Sequence, residues 1–404
     1  MSSRWRRLSS AGGFSLYLLP PMLSAVTPLL VFPAVTHVYG AQGLGAIGIA
    51  QSVGVAASVI GELGWAVVGP QKIASMSAKE RALYVRVAST TRLIALIVVL
   101  PLCVAVVSLL TPAFAFEAAV VSAGSALAGL SLGWAWIGAN RPSRMLLLES
   151  IPRVLFSVTA AGLILAGGSL STYGFALILA ALFSLIAGVL DFQAHDRSLV
   201  VRASTLRSAY REQALITGSR VVTAGYTALP VSLIALVSPA AVPLFTAVDR
   251  LARMALSVMA ALPNRLQSWV GSSGSLEITR SRSRRQLIIN SGAGLIAGVA
   301  FALAAPAAAH VVFSATVTLE PGLAWISGAM VAVICASRGL GLSLVAAGRA
   351  SWLLPASVVA CIVGVGAVLG FGYIVGAVGA VIGVLLGEAA GAVCQVLALR
   401  SKRQ

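Results

Sequence analysis

Asp249, Arg250 and Arg253 lie within five residues of one another in VPLFTAVDRLARMALSVMAALP, residues 242–263, a stretch that is otherwise largely apolar. In a helix rising 1.5 Å per residue, Arg250 is about 15 Å along its span, close to the midplane of a bilayer. An ionised side chain at that depth costs at least ~2.5–3.5 kcal/mol, so it must face a partner or a cavity. Arg250 and Arg253 are three residues apart and share a face, and Asp249 precedes Arg253 by four. Two kinds of chemistry fit. The acid and Arg253 can form an internal pair that staples helices together. Alternatively, the excess positive charge forms an anion-receptive wall of a water-filled cavity, which is the preferred reading.

Other charges within apolar runs form a graded series. Glu149 and Arg153 are four apart and can pair with each other, and Arg153 is the better cavity candidate of the two. Arg338 lies about two thirds of the way along its run and is a further candidate. Arg92 and Arg220 sit about two turns from a predicted boundary, where a long side chain can snorkel outward, so a structural role is expected of both. Glu62 and Glu388 are lone acids, suited to neutralising a cavity arginine or carrying a coupling proton. The candidate substrate-binding residues are therefore Arg250, Arg253, Arg153 and Arg338, with Asp249, Glu149, Glu62 and Glu388 for charge pairing or coupling.

The elements that position these residues follow from composition. The chain is 59% hydrophobic and 10% charged, with a mean hydropathy of +0.98, where a soluble domain carries about 25% charged residues. A polytopic, all-α membrane protein is expected. About 20 apolar residues cross the hydrocarbon core, and runs of that length fall near 14–35, 44–68, 87–110, 117–139, 145–167, 173–192, 213–237, 240–263, 287–311, 322–345, 352–371 and 374–398. The weakest divisions are TPAFAF and GFGY. Placing SSRWRR inside puts Lys or Arg in every inside segment, from QKIASMSAKERALYVR to RSKRQ, while the outside segments THVYGAQG, TPAFAFE, GGSLST, VSPAA, FSATVTLEPG and GFGY contain none. Twelve helices with both termini cytoplasmic are predicted. The net charge of +17 is thus mainly a topological signal, with anionic lipid headgroups as a second use and nucleic acid excluded as a partner.

The run after RWRR contains Pro20, Pro21, Pro28 and Pro33, is too long for a signal-peptide core, and is read as a retained helix. The polar link near 193–212 divides the chain into two sets of six helices, 1–200 and 201–404. GANRPSRMLLL at 138–148 and AAGRASWLLPA at 346–356 match across that division, as repeats would. Internal repeats with a site between the halves are a common transporter plan. Catalysis finds no support. Cys103, Cys335, Cys361 and Cys394 all lie in apolar runs, His37, His195 and His310 are scattered, and GLGAIG and GVGAVLG follow no strand. No metal or cofactor is expected.

Longer stretches carry a resemblance. FSLYLLPPMLSAVTPLLVFPAVTHVYGAQGLGAIGIAQSVGVAASVIGELGWAVVGPQKIA resembles the opening of polysaccharide flippases, with a first helix ending in FP plus a small residue, then a glycine-rich turn, AQS, and LG before a basic loop. GWAWIGANRPSRMLLLESIPRVLF is similar to that family's fourth-to-fifth helix junction, and AVPLFTAVDRLARMALSVMAALPNRLQSW to its eighth helix. The family is the oligosaccharide and O-antigen flippase branch of the multidrug, oligosaccharidyl-lipid and polysaccharide exporter superfamily. The resemblance implies a V-shaped pair of six-helix bundles in the plasma (inner) membrane that carries a polyprenyl-pyrophosphate-linked glycan from inner to outer leaflet. It also implies a polysaccharide polymerase and glycosyltransferases as partners. WAWIGANR departs from the family pattern in lacking the phenylalanine, glutamine and acidic residue often seen there, which bears on the substrate more than on the class.

On that reading, Arg250 and Arg253, with Arg153 and Arg338, hold the diphosphate by charge-assisted hydrogen bonds while the prenyl tail stays in lipid. The alternative is a multidrug cation antiporter of the same superfamily. Such a protein wants acids in its cavity, whereas the midplane here is expected to be net basic. A lipid II flippase would be longer, and a non-transporting scaffold would not need charges at depth.

Overall fold

In hydrocarbon every backbone N–H and C=O must be satisfied within the chain, and an apolar sequence of this kind meets that demand as helices. The computed structural model describes residues 3–193, 203–259, 266 and 276–401, and the regular elements in them are all helical. The segments 194–202 with His195, 260–265 with Pro263, and 267–275 lie outside the described residues, and with them much of the two longest predicted loops. Eight helices, or nine when one bent pair is counted as a span, are long and apolar enough to cross a membrane among the described residues. Large side chains such as Val98 (72% exposed) and Leu109 (82%) face outward, while many alanines and serines line the contacts beside buried rings such as Trp65 and Trp136. So many exposed large apolar side chains suit lipid as solvent. The chain is a multi-pass membrane protein.

Two compact units divide it, one formed by Met1–Tyr39 and Ile49–Val221, the other by Gly40–Gly48 and Val222–Gln404. In the first unit, α1 (Ser3–Glu62) is broken at Gly40 and ends before α2 (Trp65–Ser75). Next, α3 (Ala78–Leu110) opens on a reciprocal cap, in which Ser77 accepts from the Glu80 N–H and Glu80 accepts from the Ser77 N–H at 2.8 Å. The weak division at TPAFAF is real: Thr111 ends α3, and a 3₁₀ turn over Pro112–Phe114 leads into α4 (Ala115–Leu127). A 3₁₀ turn at Ala128–Leu130 separates α4 from α5 (Gly133–Gly138). Then come α6 (Pro142–Met145), a π-helical turn over Leu146–Ser150, α7 (Ile151–Leu165) and α8 (Ser171–Gln193). The core gathers where α8 packs on α4 and α7, and α2 on α5. There Trp65 stacks on Trp134 at 6.1 Å, and Tyr84 meets both rings edge-on.

α9 (Ala203–Thr227) passes from the first unit into the second between Val221 and Val222. It breaks before Pro230, and α10 (Pro230–Val237) leaves at a bend of 51°. The second unit continues with α11 (Val242–Met259), α12 (Leu276–Val312), α13 (Pro321–Ala346) and α14 (Leu353–Arg400). α12 and α13 approach so closely that Gly298 and Gly328 each lie against the other's carbonyl.

At 1.5 Å per residue α14 would be roughly 70 Å long, twice the hydrocarbon thickness. It is a hairpin instead. Gly376 adopts φ 62°, a left-handed conformation that glycine takes without strain. Gly379, Gly383, Gly387 and Gly391, one per turn, then lie along Phe371, Val368, Gly364 and Ala360 of the first arm. The expected division at GFGY, residues 370–373, is therefore displaced: those residues are helical and the turn is at Gly376. Apolar flanks hide such a turn, because positive φ at one glycine suffices without a polar loop.

Candidate functional site

A cavity of about 350 Å³ opens within the second unit. One face of α11 supplies Phe245, Asp249, Arg253 and Leu256, spaced by three or four residues as one helical face requires. Met330 and Arg338 of α13, Glu388 of α14, and Tyr226 with Thr227 at the end of α9 complete the polar and aromatic lining. Arg253 donates from Nε to Asp249 Oδ2 at 2.7 Å and from Nη2 to the Thr227 carbonyl at 2.5 Å. That carbonyl stands at the break between α9 and α10, where Pro230 interrupts the ladder. Arg338 donates to the Leu256 carbonyl at 3.3 Å, lies within electrostatic range of Glu388, and neighbours Ser337, which hydrogen-bonds Glu388.

Arg253, Arg338, Asp249 and Glu388 are thus brought together. The lining holds two cations and two anions, so it is formally neutral, not net basic as the sequence suggested. The physical reason is that α14 folds back and delivers Glu388 to a helix over one hundred residues earlier in the chain, a pairing that spacing along the sequence does not contain. Arg250, half-buried on α11, is not among the lining residues.

The remaining candidates belong to the first unit. Arg153 faces Glu149 at 3.8 Å, and Glu149, on the π-helical turn, also accepts from Ser131 Oγ at 2.7 Å. Glu62 accepts from Arg220 at 2.7 Å and from the Ala66 N–H at 3.2 Å. A second cavity, about 300 Å³, is lined by Glu62, Gly129, Ser131, Trp134 and Met145 among others. Neither Glu149 nor Arg153 is in that lining.

One arginine differs from expectation. Arg92 does not snorkel: it is fully buried, with its guanidinium 5.6 Å from the Trp134 ring. It donates to the carbonyls of Ala88 (3.0 Å), Gly129 (3.1 Å) and Ser131 (2.7 Å). The 3₁₀ turn between α4 and α5 strips the last two of their helical partners, and a guanidinium with five donors supplies replacements. Arg349 does the same at the end of α14, where it meets the carbonyls of Ala398 and Ser401. Sequence reasoning also missed Tyr226, Thr227 and Ser337. The only signal for Thr227 was Pro230 three residues on.

No protein-family model matches the chain, and no curated protein matches it. Solved structures do. An inward-facing conformation of a multidrug resistance MATE family transporter of the MOP superfamily aligns at TM-score 0.57 and 14% identity, over 95% of this chain and 97% of that one. An outward-facing conformation of a transporter so described gives 0.54 at 14% identity, over 96% and 94%. A eukaryotic MATE transporter gives 0.55 at 14% identity, over 98% and 96%. At that identity the likeness concerns the fold, and over nearly its whole length the chain has the fold of the MATE transporters of the MOP superfamily.

Proposed function

We propose that the chain is an exporter in the plasma membrane and that its second-unit cavity receives an amphipathic organic cation. The observation that carries this reading is Glu388, a carboxylate set among Tyr226, Phe245, Met330 and Leu256 in that cavity. Arg253 is engaged by Asp249 and the Thr227 carbonyl, so the excess positive charge that argued against cation export is absent from the lining. A fold shared with multidrug MATE transporters supports the same reading. Apolar and aromatic surface takes the body of such a cargo, while Glu388 takes its charge or a counter-moving proton.

Flipping of a polyprenyl-pyrophosphate-linked oligosaccharide for cell-surface polysaccharide is the second reading. The two guanidinium groups of Arg253 and Arg338 in one cavity favour it, together with the flippase-like motifs of the sequence. There the arginines would exchange carbonyls and carboxylates for a diphosphate, and polymerase and glycosyltransferases would act before and after the transfer.

One pair of assays separates the two. Proteoliposomes are loaded with ethidium and its efflux is followed under an imposed proton gradient. In parallel, polyprenyl-linked saccharides are extracted from cells with and without the protein, and their leaflet is read with an impermeant glycan reagent. Gradient-dependent ethidium efflux with an unchanged lipid-linked pool supports cation export. Accumulation of a shielded lipid-linked glycan in cells lacking the protein, without ethidium efflux, reverses the order of the readings.

A further inference from the structure

α12 begins in polar sequence and continues as a largely apolar run from Leu287 to Val312. At 1.5 Å per residue that run is about 39 Å long, enough to cover a hydrocarbon core of about 30 Å with a few ångströms to spare. Arg284 and Arg285 stand just before it and are exposed, so their guanidinium groups reach headgroup level. Among the described residues neither forms an ion pair, whereas Lys72, Arg141, Arg144 and Arg220 of the first unit each face a carboxylate. From Ser281 to Val312 the sequence holds no Asp or Glu.

The same two arginines share a side of the helix with its outward apolar stripe. Residues three, four, seven, eleven or eighteen apart fall on one helical face. Arg285 is in line with Ile288, Ile289, Gly292, Ile296 and Leu303, and Arg284 with Ile288 and Leu295. The stripe is open to the surroundings: Ile296 is 72% exposed, Leu303 is 68% exposed, and a Cβ at Gly292 would meet nothing within 4 Å. The opposite face is packed away. There Gly294 lies against Cys335, Gly298 against the Gly328 carbonyl, and Asn290 beside Gly339, all on α13.

We propose that Arg284 and Arg285 hold the phosphate of one anionic phospholipid, whose acyl chains lie along the stripe from Ile288 to Leu303. Two guanidinium groups without a carboxylate supply charge-assisted donors to the phosphate oxygens. A zwitterionic headgroup brings its own ammonium to the same place and gains less. An acidic protein or a nucleic acid would reach the arginines from water and leave the stripe beneath them unused, whereas a lipid uses both. The packed side of α12 rests on α13, which gives Met330 and Arg338 to the second-unit cavity. The bound lipid therefore buttresses the helix pair behind that cavity, and the site stands whichever cargo the cavity carries.

The full-length protein in maltoside micelles is titrated with phosphatidylglycerol carrying a fluorescent acyl chain, and binding is read by anisotropy, with phosphatidylcholine bearing the same label in parallel. Wild type is expected to prefer phosphatidylglycerol by about tenfold or more. Arg284→Gln with Arg285→Gln should weaken phosphatidylglycerol about twentyfold, the loss of two cations at the membrane surface, and leave phosphatidylcholine unchanged. Arg207→Gln with Arg211→Gln removes the same charge from exposed positions on α9 and should bind as wild type. Unlabelled glycerol phosphate at millimolar concentration should fail to compete. Wild-type binding by the α12 double variant, an equal loss in the α9 double variant, or competition by glycerol phosphate overturns the proposal. If the α12 double variant does not fold, Arg285→Gln alone decides: about fivefold weaker phosphatidylglycerol binding supports the site, and wild-type binding refutes it.

Discussion

Asp249 accepts the Nε–H of Arg253 at 2.7 Å one turn along α11, and the same guanidinium reaches across to the Thr227 carbonyl at the break between α9 and α10. A cation read from the sequence as waiting for an anion is therefore also a hydrogen-bond donor to interrupted backbone. Arg92 and Arg349 repeat the device at other helix breaks.

Arg253→Gln should destabilise the protein by about 1–3 kcal/mol, because it leaves a charged acceptor and a carbonyl poorly served. Asp249→Asn in the same chain should restore part of that loss, since the uncompensated acid is then gone. Thermal unfolding in detergent, followed by intrinsic fluorescence, measures both; equal stability of all three proteins would mean that water serves these groups.

Replacing Arg92 should be more damaging than replacing Arg220. Arg92→Lys keeps the charge but cannot span the Gly129 and Ser131 carbonyls as a planar fork does. The melting temperature of Arg92→Lys is expected below that of Arg220→Gln, and the opposite order would place the break between α4 and α5 under some other control.

In transport, Glu388→Gln should reduce ethidium efflux at least about tenfold, the equivalent of one charge-assisted contact of about 1.5–3 kcal/mol. Arg338→Gln should leave efflux within about twofold, because its bond to the Leu256 carbonyl is long and structural. A reversed pattern, with Arg338 essential and Glu388 dispensable, points to an anionic cargo.

The hairpin of α14 gives a steric test. A Cβ at Gly387 would lie 2.7 Å from the Gly364 Cα, whereas one at Gly366 meets nothing within 4 Å. Gly387→Ala should cost about 1–3 kcal/mol by overpacking, and Gly366→Ala should be neutral or stabilising by about 0.5–1 kcal/mol. Thermal unfolding of the pair decides whether the two arms pack as described.

Much of the helical plan was legible because lipid imposes one rule on the whole chain, that long apolar runs must be helices; the start of α3 was not, since its cap at Ser77 and Glu80 lies in the basic stretch read as a loop before 87. The i,i+4 pairs Asp249–Arg253 and Glu149–Arg153 were open to local reading. That Glu388 and Glu62 could neutralise an arginine was legible, but not that Glu388 comes within electrostatic range of Arg338, that Glu62 pairs with Arg220, or that Arg92 reaches the carbonyls of a 3₁₀ turn, since each depends on helices far apart in sequence. The breaks themselves leave little trace, because Leu63 or Gly376 looks like any other residue of an apolar stretch.

The hairpin at Gly376 also bears on how the chain is oriented. Between Arg349 and Glu388 the chain carries no charged residue, so the basic residues that orient the hairpin, Arg349 and Arg400, both stand at its open end and none marks the turn. Both ends of the hairpin are thereby held on one side of the bilayer, and the glycine seam between the arms, not a charged loop, carries the reversal of direction.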